Sequence, residues 1–151
     1  VDLGRVLEEE ILSRRIQEIG FSQLLEEKDR ISRIYSWCSR RREEDVCREL
    51  ERVLVNAVRS LVKLRIFKSI MDLDPGKSFD TEILSMVAKI ASVISEVFRS
   101  VPIDPYGRIP IRSKVDLDGE GFSYRKGYIY MVHLDRAVIL VISGLADLVS
   151  L

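Results

Sequence analysis

Histidine, amides and cysteine are all scarce in this 151-residue chain. His133 is the sole histidine, and Cys38 and Cys47 are the two cysteines. A tetrahedral Cys/His zinc site needs more ligands than these, and the cysteine spacing matches neither a CxxC redox pair nor a zinc motif. The expectation is two reduced thiols on a pair of helices, with no metal and no cofactor. Asn56 is the single asparagine, and Gln17 and Gln23 are the glutamines. Few amides beside many charges lean towards a thermophilic source, because amides are among the residues heat destroys. Lys+Arg and Asp+Glu both number 24, so no global imbalance draws the chain to nucleic acid or to an acidic membrane. No apolar run reaches the roughly 18 residues of a membrane span. The opening Val1-Asp-Leu-Gly-Arg5, followed by Glu8, Glu9 and Glu10, lacks the basic-then-apolar order of a signal peptide. An intracellular protein is expected. Also missing are a glycine-rich phosphate loop, an HExxH and a GxSxG, so catalysis is not expected. His133 reads as a packed or edge residue of a strand, and Glu8 to Glu10 as a solvated helix face.

Proline is scarce too, and its placement organises the chain. Pro102, Pro105 and Pro110 fall in one stretch, and each removes a helix donor and biases its predecessor away from the helical region. Before that stretch every segment reads as helix, and after it as short strands. The fold class is therefore α+β: an N-terminal all-α bundle followed by a small β-rich domain. Residues 1–100 form the helical part, 101–108 a proline-rich linker and 109–151 the β part.

In the helical part, Leu3, Leu7, Ile11, Ile16 and Ile19 predict an amphipathic helix up to Gly20. Ser22 starts a second helix that runs to Arg41, with Cys38 its last apolar position, or the two pieces form one bent helix. Cations at Arg40 to Arg42 and anions at Glu43 to Asp45 suit the ends of successive helices. Asp45 to Met71 is the clearest helix, with an apolar stripe of Leu50, Val53, Leu54, Ala57, Val58, Leu61 and Leu64. Arg65 and Lys68 lie about 40° and 20° from Leu61 on that helix, on its apolar side. A charge buried there without a partner is costly, so an acidic neighbour (Glu8, Glu9, Glu10 or Glu18) or a subunit boundary is expected. Asp72-Leu-Asp-Pro-Gly76 is turn chemistry. A last long helix from Phe79 to Arg99, capped by Ser78, Asp80 or Thr81, is apolar on more than one face. Ile83, Val87, Ile90 and Ile94 are its interface candidates, beside Leu61, Leu64, Arg65 and Lys68.

In the β part, alternation from Ile109 to Leu117 predicts a strand. Turns at Asp118 to Gly121 and at Lys126-Gly127 separate further strands at Phe122 to Arg125 and Tyr128 to His133. Asp135 can cap a short helix from Arg136 to Ser143, Gly144 suits the left-handed position that ends it, and Leu145 to Leu151 can return as a strand. Such a small core is marginal alone, which favours docking.

These residues in this order resemble a GINS subunit, a component of the replicative helicase assembly of archaea and eukaryotes. Leu61-Val-Lys-Leu-Arg65-Ile-Phe-Lys68 is similar to the family's Leu-x-x-Leu-Arg-x-x-Lys helix ending. Gly127 to Leu134, Ala137 and Gly144-Leu-Ala146 resemble the end of its B domain. The order of helical and β parts looks like the archaeal subunit with a C-terminal B domain; Asp135 stands where the family often has proline. The resemblance implies a non-catalytic replisome scaffold in a homo- or hetero-tetramer, linking the MCM helicase to a RecJ-like partner in DNA replication, with weak DNA contact at most. It implies a cytoplasmic, nucleoid-associated protein in an archaeon, or a nuclear one in a eukaryote. Tyr124, Tyr128 and Tyr130 are the partner-binding candidates, through strand addition or aromatic anchoring. The competing reading is a helical nucleic-acid-binding regulator with a small β dimerisation module, carried by Arg40 to Arg42, Arg48 and Arg52.

Overall fold

The computed structural model describes residues 3–40, 44–71 and 73–150, and it has the expected α+β class. Four helices come first: α1 (Leu3–Leu12), α2 (Phe21–Arg40), α3 (Glu44–Ile70) and α4 (Thr81–Ser100). Short strands and one helix follow: β1 (Arg108–Ser113), β2 (Leu117–Gly119), β3 (Phe122–Tyr124), β4 (Ile129–His133), α5 (Leu134–Ile142) and β5 (Ala146–Leu148). The chain divides into two compact units, Val1–Ala88 and Lys89–Leu151. That division falls inside α4, not at the proline-rich stretch, so the last turns of α4 belong with the strands.

In the first unit, α1 and α2 both pack against α3. The helix expected up to Gly20 ends at Leu12 instead. The carbonyl of Glu10, which a continuing helix would pair with the N–H of residue 14, accepts from the Lys68 ammonium. The Ser13 hydroxyl accepts from the Arg15 N–H, a local bond that competes with helix. Residues 13–20 then run as irregular backbone into α2. The start of α2 is set by Gln23 and not by Ser22: its side-chain oxygen accepts from the Gly20 N–H at 2.9 Å, half of a capping box. The arginine pair Arg41 and Arg42 and the neighbouring Glu43 lie outside the described residues.

In the second unit, a three-stranded antiparallel sheet has the order β4-β1-β5, with Ile109 opposite Val132 and Ile111 opposite Tyr130 and Leu148. β2 and β3 form a separate hairpin. The strand expected from Ile109 to Leu117 is thus two strands, because the Ser113 hydroxyl donates to the Val115 carbonyl and Asp116 accepts from the Lys126 N–H, turning the chain between them. The core is Val97, Val101, Ile109, Ile111, Tyr124, Val132, Ala137 and Ala146. Val97 comes from α4 and Val101 from the stretch expected as linker. That stretch is a built turn: Asp104 Oδ1 accepts from the Tyr106 and Arg108 N–H groups, and Oδ2 from Arg108 Nε at 2.7 Å. Burial pushes the Asp104 carboxyl up, but the Arg108 backbone and guanidinium, with the Tyr106 N–H, hold it below the ordinary aspartate value. α5 follows β4 directly, with His133 at its N-cap and Asp135 in its first turn instead of at the cap. Gly144, at φ 73°, ends it as expected. Leu145 N–H donates to Leu140 O and Gly144 N–H to Val141 O, the two bonds of a Schellman ending.

Candidate assembly surfaces

Arg65 and Lys68 sit in the last turns of α3 and are buried, as their place on the apolar side predicts. Every donor of both is used. Arg65 Nε donates to Asp80 Oδ2 at 2.8 Å and one Nη to Asp80 Oδ1 at 2.7 Å, a bidentate fork. The remaining guanidinium hydrogens go to Glu10 Oε2, the Gln17 carbonyl and the Ser78 hydroxyl. The Lys68 ammonium donates to Glu10 Oε1 at 2.6 Å, to the Glu10 carbonyl and to the Arg15 carbonyl. Glu10 is 0% exposed and Arg65 2%.

Two cations and two carboxylates make this cluster neutral, which is the condition for burying it. It fastens α1, the irregular segment 13–20, the end of α3 and the start of α4. Ser78 adds a further tie, accepting from Ile19 N–H and donating to Ile19 O. Burial pushes the Asp80 carboxyl up, yet the Arg65 and Ser78 hydrogen bonds and the Arg65 charge outweigh it and hold the group below the ordinary aspartate value. Burial likewise presses the Arg65 guanidinium towards neutrality, and Asp80 and Glu10 reverse it, leaving its pKa raised. Of the expected acidic neighbours Glu10 is the one used. Asp80 came under notice only as a helix cap, and its second role depends on a turn that pattern reading does not resolve.

The apolar residues of the helices divide into two populations. Leu50, Leu54, Ala57, Leu61 and Leu64 are half-buried along α3. Val55, Val58 and Val62 are exposed and lie within about 60° of one another at helical spacing. Together with Ile31 and Tyr35 of α2, Val55 and Val58 line an open hollow of about 320 Å³. Val53 and Val58, expected in the apolar stripe of α3, are thus on its exposed side. On α4, Ile83 is exposed and Val87 half-buried in the first unit; Ile90 is half-buried and Ile94 exposed in the second. Met86 in the first unit is exposed beside Ile83, and Phe98 in the second is 86% exposed. The apolar residues fully buried in the first unit are Val6, Ile16, Ile19 and Leu84 among those described.

The three tyrosines part company. Tyr124 is in the core at 8% exposure, which removes it as a contact candidate: β3 turns it inward, where its ring lies 5.1 Å from Phe122 and 4.8 Å from Tyr130. Tyr130 is half-buried, and its hydroxyl accepts from the Arg125 N–H. Tyr128 remains exposed, beside exposed Ile129 and Met131 on edge strand β4.

The cysteines also depart from expectation. Cys38, in the last turn of α2, and Cys47, in the first turn of α3, are joined as a disulfide with Cα atoms 5.6 Å apart. The helical hairpin brings its two ends within bonding reach, a spacing that sequence separation alone does not disclose. Two of the arginines of the regulator reading have acidic partners on their own helix: Arg48 pairs with Asp45, and Arg52 with Glu49 at hydrogen-bonding distance. The Arg52 hydrogen bond lowers the Glu49 carboxyl, and Glu49 raises Arg52. No described helix is long and apolar enough to cross a membrane. The sequence matches no known family, and no curated protein matches it.

Proposed function

We propose that this protein is a non-catalytic assembly subunit of the GINS type, serving as a scaffold between an MCM-like helicase and a RecJ-like partner. The observation that carries the reading is the mismatch in the first unit. Its long helices leave Val55, Val58, Val62, Ile83 and Met86 in solvent while its centre is filled by ions. Apolar faces of this length are interaction surfaces, and a second helical subunit is the partner that long amphipathic helices fit. The Leu61-x-x-Leu-Arg-x-x-Lys68 spacing supports the same reading, because it places both cations where they anchor the bundle. Ile129 and Met131 on β4, with Tyr128 just before it, supply the second unit's contact for a fork protein, by strand addition.

An archaeal nucleoid setting accommodates the disulfide, since intracellular proteins of hyperthermophilic archaea are rich in them. The regulator reading is weakened by the pairing of Arg48 and Arg52, which leaves less net charge for phosphate contacts. The test is to mix the purified chain with candidate GINS subunits, MCM and RecJ-like proteins and to measure complex mass. Stable complexes with a second helical subunit are expected. A compact monomer that ignores them all, yet binds random DNA with steep salt dependence, overturns the proposal.

A further inference from the structure

The distal end of the α2–α3 hairpin carries a feature that an assembly role does not explain. Four ion pairs of α2 and of the first half of α3 join positions three or four apart on one helix: Arg30 with Glu27, Arg33 with Asp29, Arg48 with Asp45 and Arg52 with Glu49. None of these ties α2 to α3. Tyr35, Val46 and Val53 are exposed there, so these side chains add little apolar burial at the two ends. A covalent link between Cys38 and Cys47 joins the two ends, with a sequence separation of 9. Both cysteines are half-buried and line an open hollow of about 380 Å³ with Tyr35, Glu44, Arg48, Glu51 and Leu54. Tyr35 and Leu54 also line the apolar hollow of Ile31, Val55 and Val58, so the two depressions adjoin.

We propose that the Cys38–Cys47 bond is a reducible clasp that fixes the end of the α2–α3 hairpin and, with it, the shape of the adjoining apolar hollow. The reductant is a dithiol, either a thioredoxin-class protein or a small molecule. One of its thiolates attacks the Sγ of Cys38 or Cys47; the Sγ–Sγ bond breaks, and the other cysteine leaves as a thiolate that takes a proton. The second thiol of the reductant then attacks the mixed disulfide, freeing the remaining cysteine. The protein gains two electrons and two protons, and the reductant is left as its own disulfide. The half-exposed position in an open hollow gives the attacking thiolate access. Closing a loop this short removes enough chain entropy to shift the opening equilibrium of the hairpin end by about 100-fold.

The inference stands apart from the assembly reading, because its measurement is local amide exchange on the full chain without any partner. Thiol labelling with a maleimide should find no free cysteine before addition of dithiothreitol and both after it. Hydrogen exchange should then quicken by about 10- to 100-fold in the last turn of α2 and the first turns of α3, and stay unchanged around Arg65 and in the sheet. A Cys38→Ser/Cys47→Ser variant should show the fast pattern with or without reductant. Two labelled thiols in the air-oxidised protein, exchange that ignores reduction, or faster exchange throughout the chain would each overturn the clasp.

Discussion

Arg65→Ala should unfold the first unit or bring it close to unfolding. The substitution leaves the Glu10 and Asp80 carboxylates and the Ser78 hydroxyl in a site where Arg65 was 2% exposed, and it frees the Gln17 carbonyl. Breaking a buried ion pair from one side costs about 3–5 kcal/mol. Lys68 can compensate Glu10, to which it donates, but no Lys68 bond reaches Asp80. The cost therefore falls mainly on the α4 end of the cluster. Domains of this size are stable by about 5–15 kcal/mol, and each kcal/mol moves the melting temperature by about 4–8 °C. A fall of at least about 12 °C is expected.

The control is Arg52→Ala, which removes a well-formed but exposed pair with Glu49 and should change stability by less than about 0.5 kcal/mol. Because Arg65→Ala can fail to fold, Arg65→Lys gives a milder reading: it keeps the charge and loses the bidentate fork to Asp80. It should fall between the wild type and Arg65→Ala. Far-UV circular dichroism during urea and thermal unfolding is the assay. Equal midpoints for Arg65→Ala and Arg52→Ala would refute the placement of the cluster at the centre of the fold.

Three further outcomes can be measured with the same methods. The Asp80 carboxyl is lowered in the folded protein, so the unfolded chain binds its proton first as pH drops: its stabilisation is full above about pH 4 and lost below, as pH falls through the folded value. Asp80→Asn should flatten the dependence of unfolding free energy on pH in that range, and an unchanged slope counts against the pairing. Val55→Asp combined with Val58→Asp should leave the melting of the isolated chain within about 1 kcal/mol, since both side chains are exposed. The same pair should weaken association with a helical partner by more than about tenfold in a sedimentation experiment; unchanged association would remove this face from the interface. Gly119→Ala places a methyl 2.4 Å from the Phe122 ring, and the overpacking should cost about 1–3 kcal/mol; wild-type stability would mean that the β2–β3 hairpin yields freely.

The order of helices and strands was legible because it rests on periodicity, which local sequence records. α3 and α4 lie within two residues of where their apolar spacing puts them. The short strands and the Gly144 ending follow from turn residues with their own chemistry. What escaped depends on bonds between distant segments. No proline or glycine near Leu12 breaks the helix; α1 stops there as the Ser13 hydroxyl accepts from the Arg15 N–H and Lys68 takes the Glu10 carbonyl from 58 residues away. The same bond accounts for the irregular run to Gly20, whose Arg15 and Gln17 carbonyls face the two cations. Pro102 and Pro105 read as a linker, yet Val101 just before them is a core residue and Asp104 between them closes the turn. Proline reports where a helix ends and says nothing of whether the chain beyond it is tethered.

The buried charges connect the legible part of the candidate site to the part that was not. Their place on α3 could be read from angles alone, and it required an acidic partner. It could not tell an intrachain partner from one on a second subunit. The structure supplies Glu10 and Asp80 from the same chain, so the cluster serves the fold of the unit, and the proposed assembly role falls to the exposed faces. A partner chain is then expected to meet Val55, Val58 and Ile83 without disturbing Arg65. On that division, mutations at the apolar faces should change association and leave melting in place, whereas mutations in the cluster should change melting first and association only as its consequence. Loss of association in Arg65→Lys under conditions where its first unit remains fully folded would contradict this ordering and return the cluster to the interface.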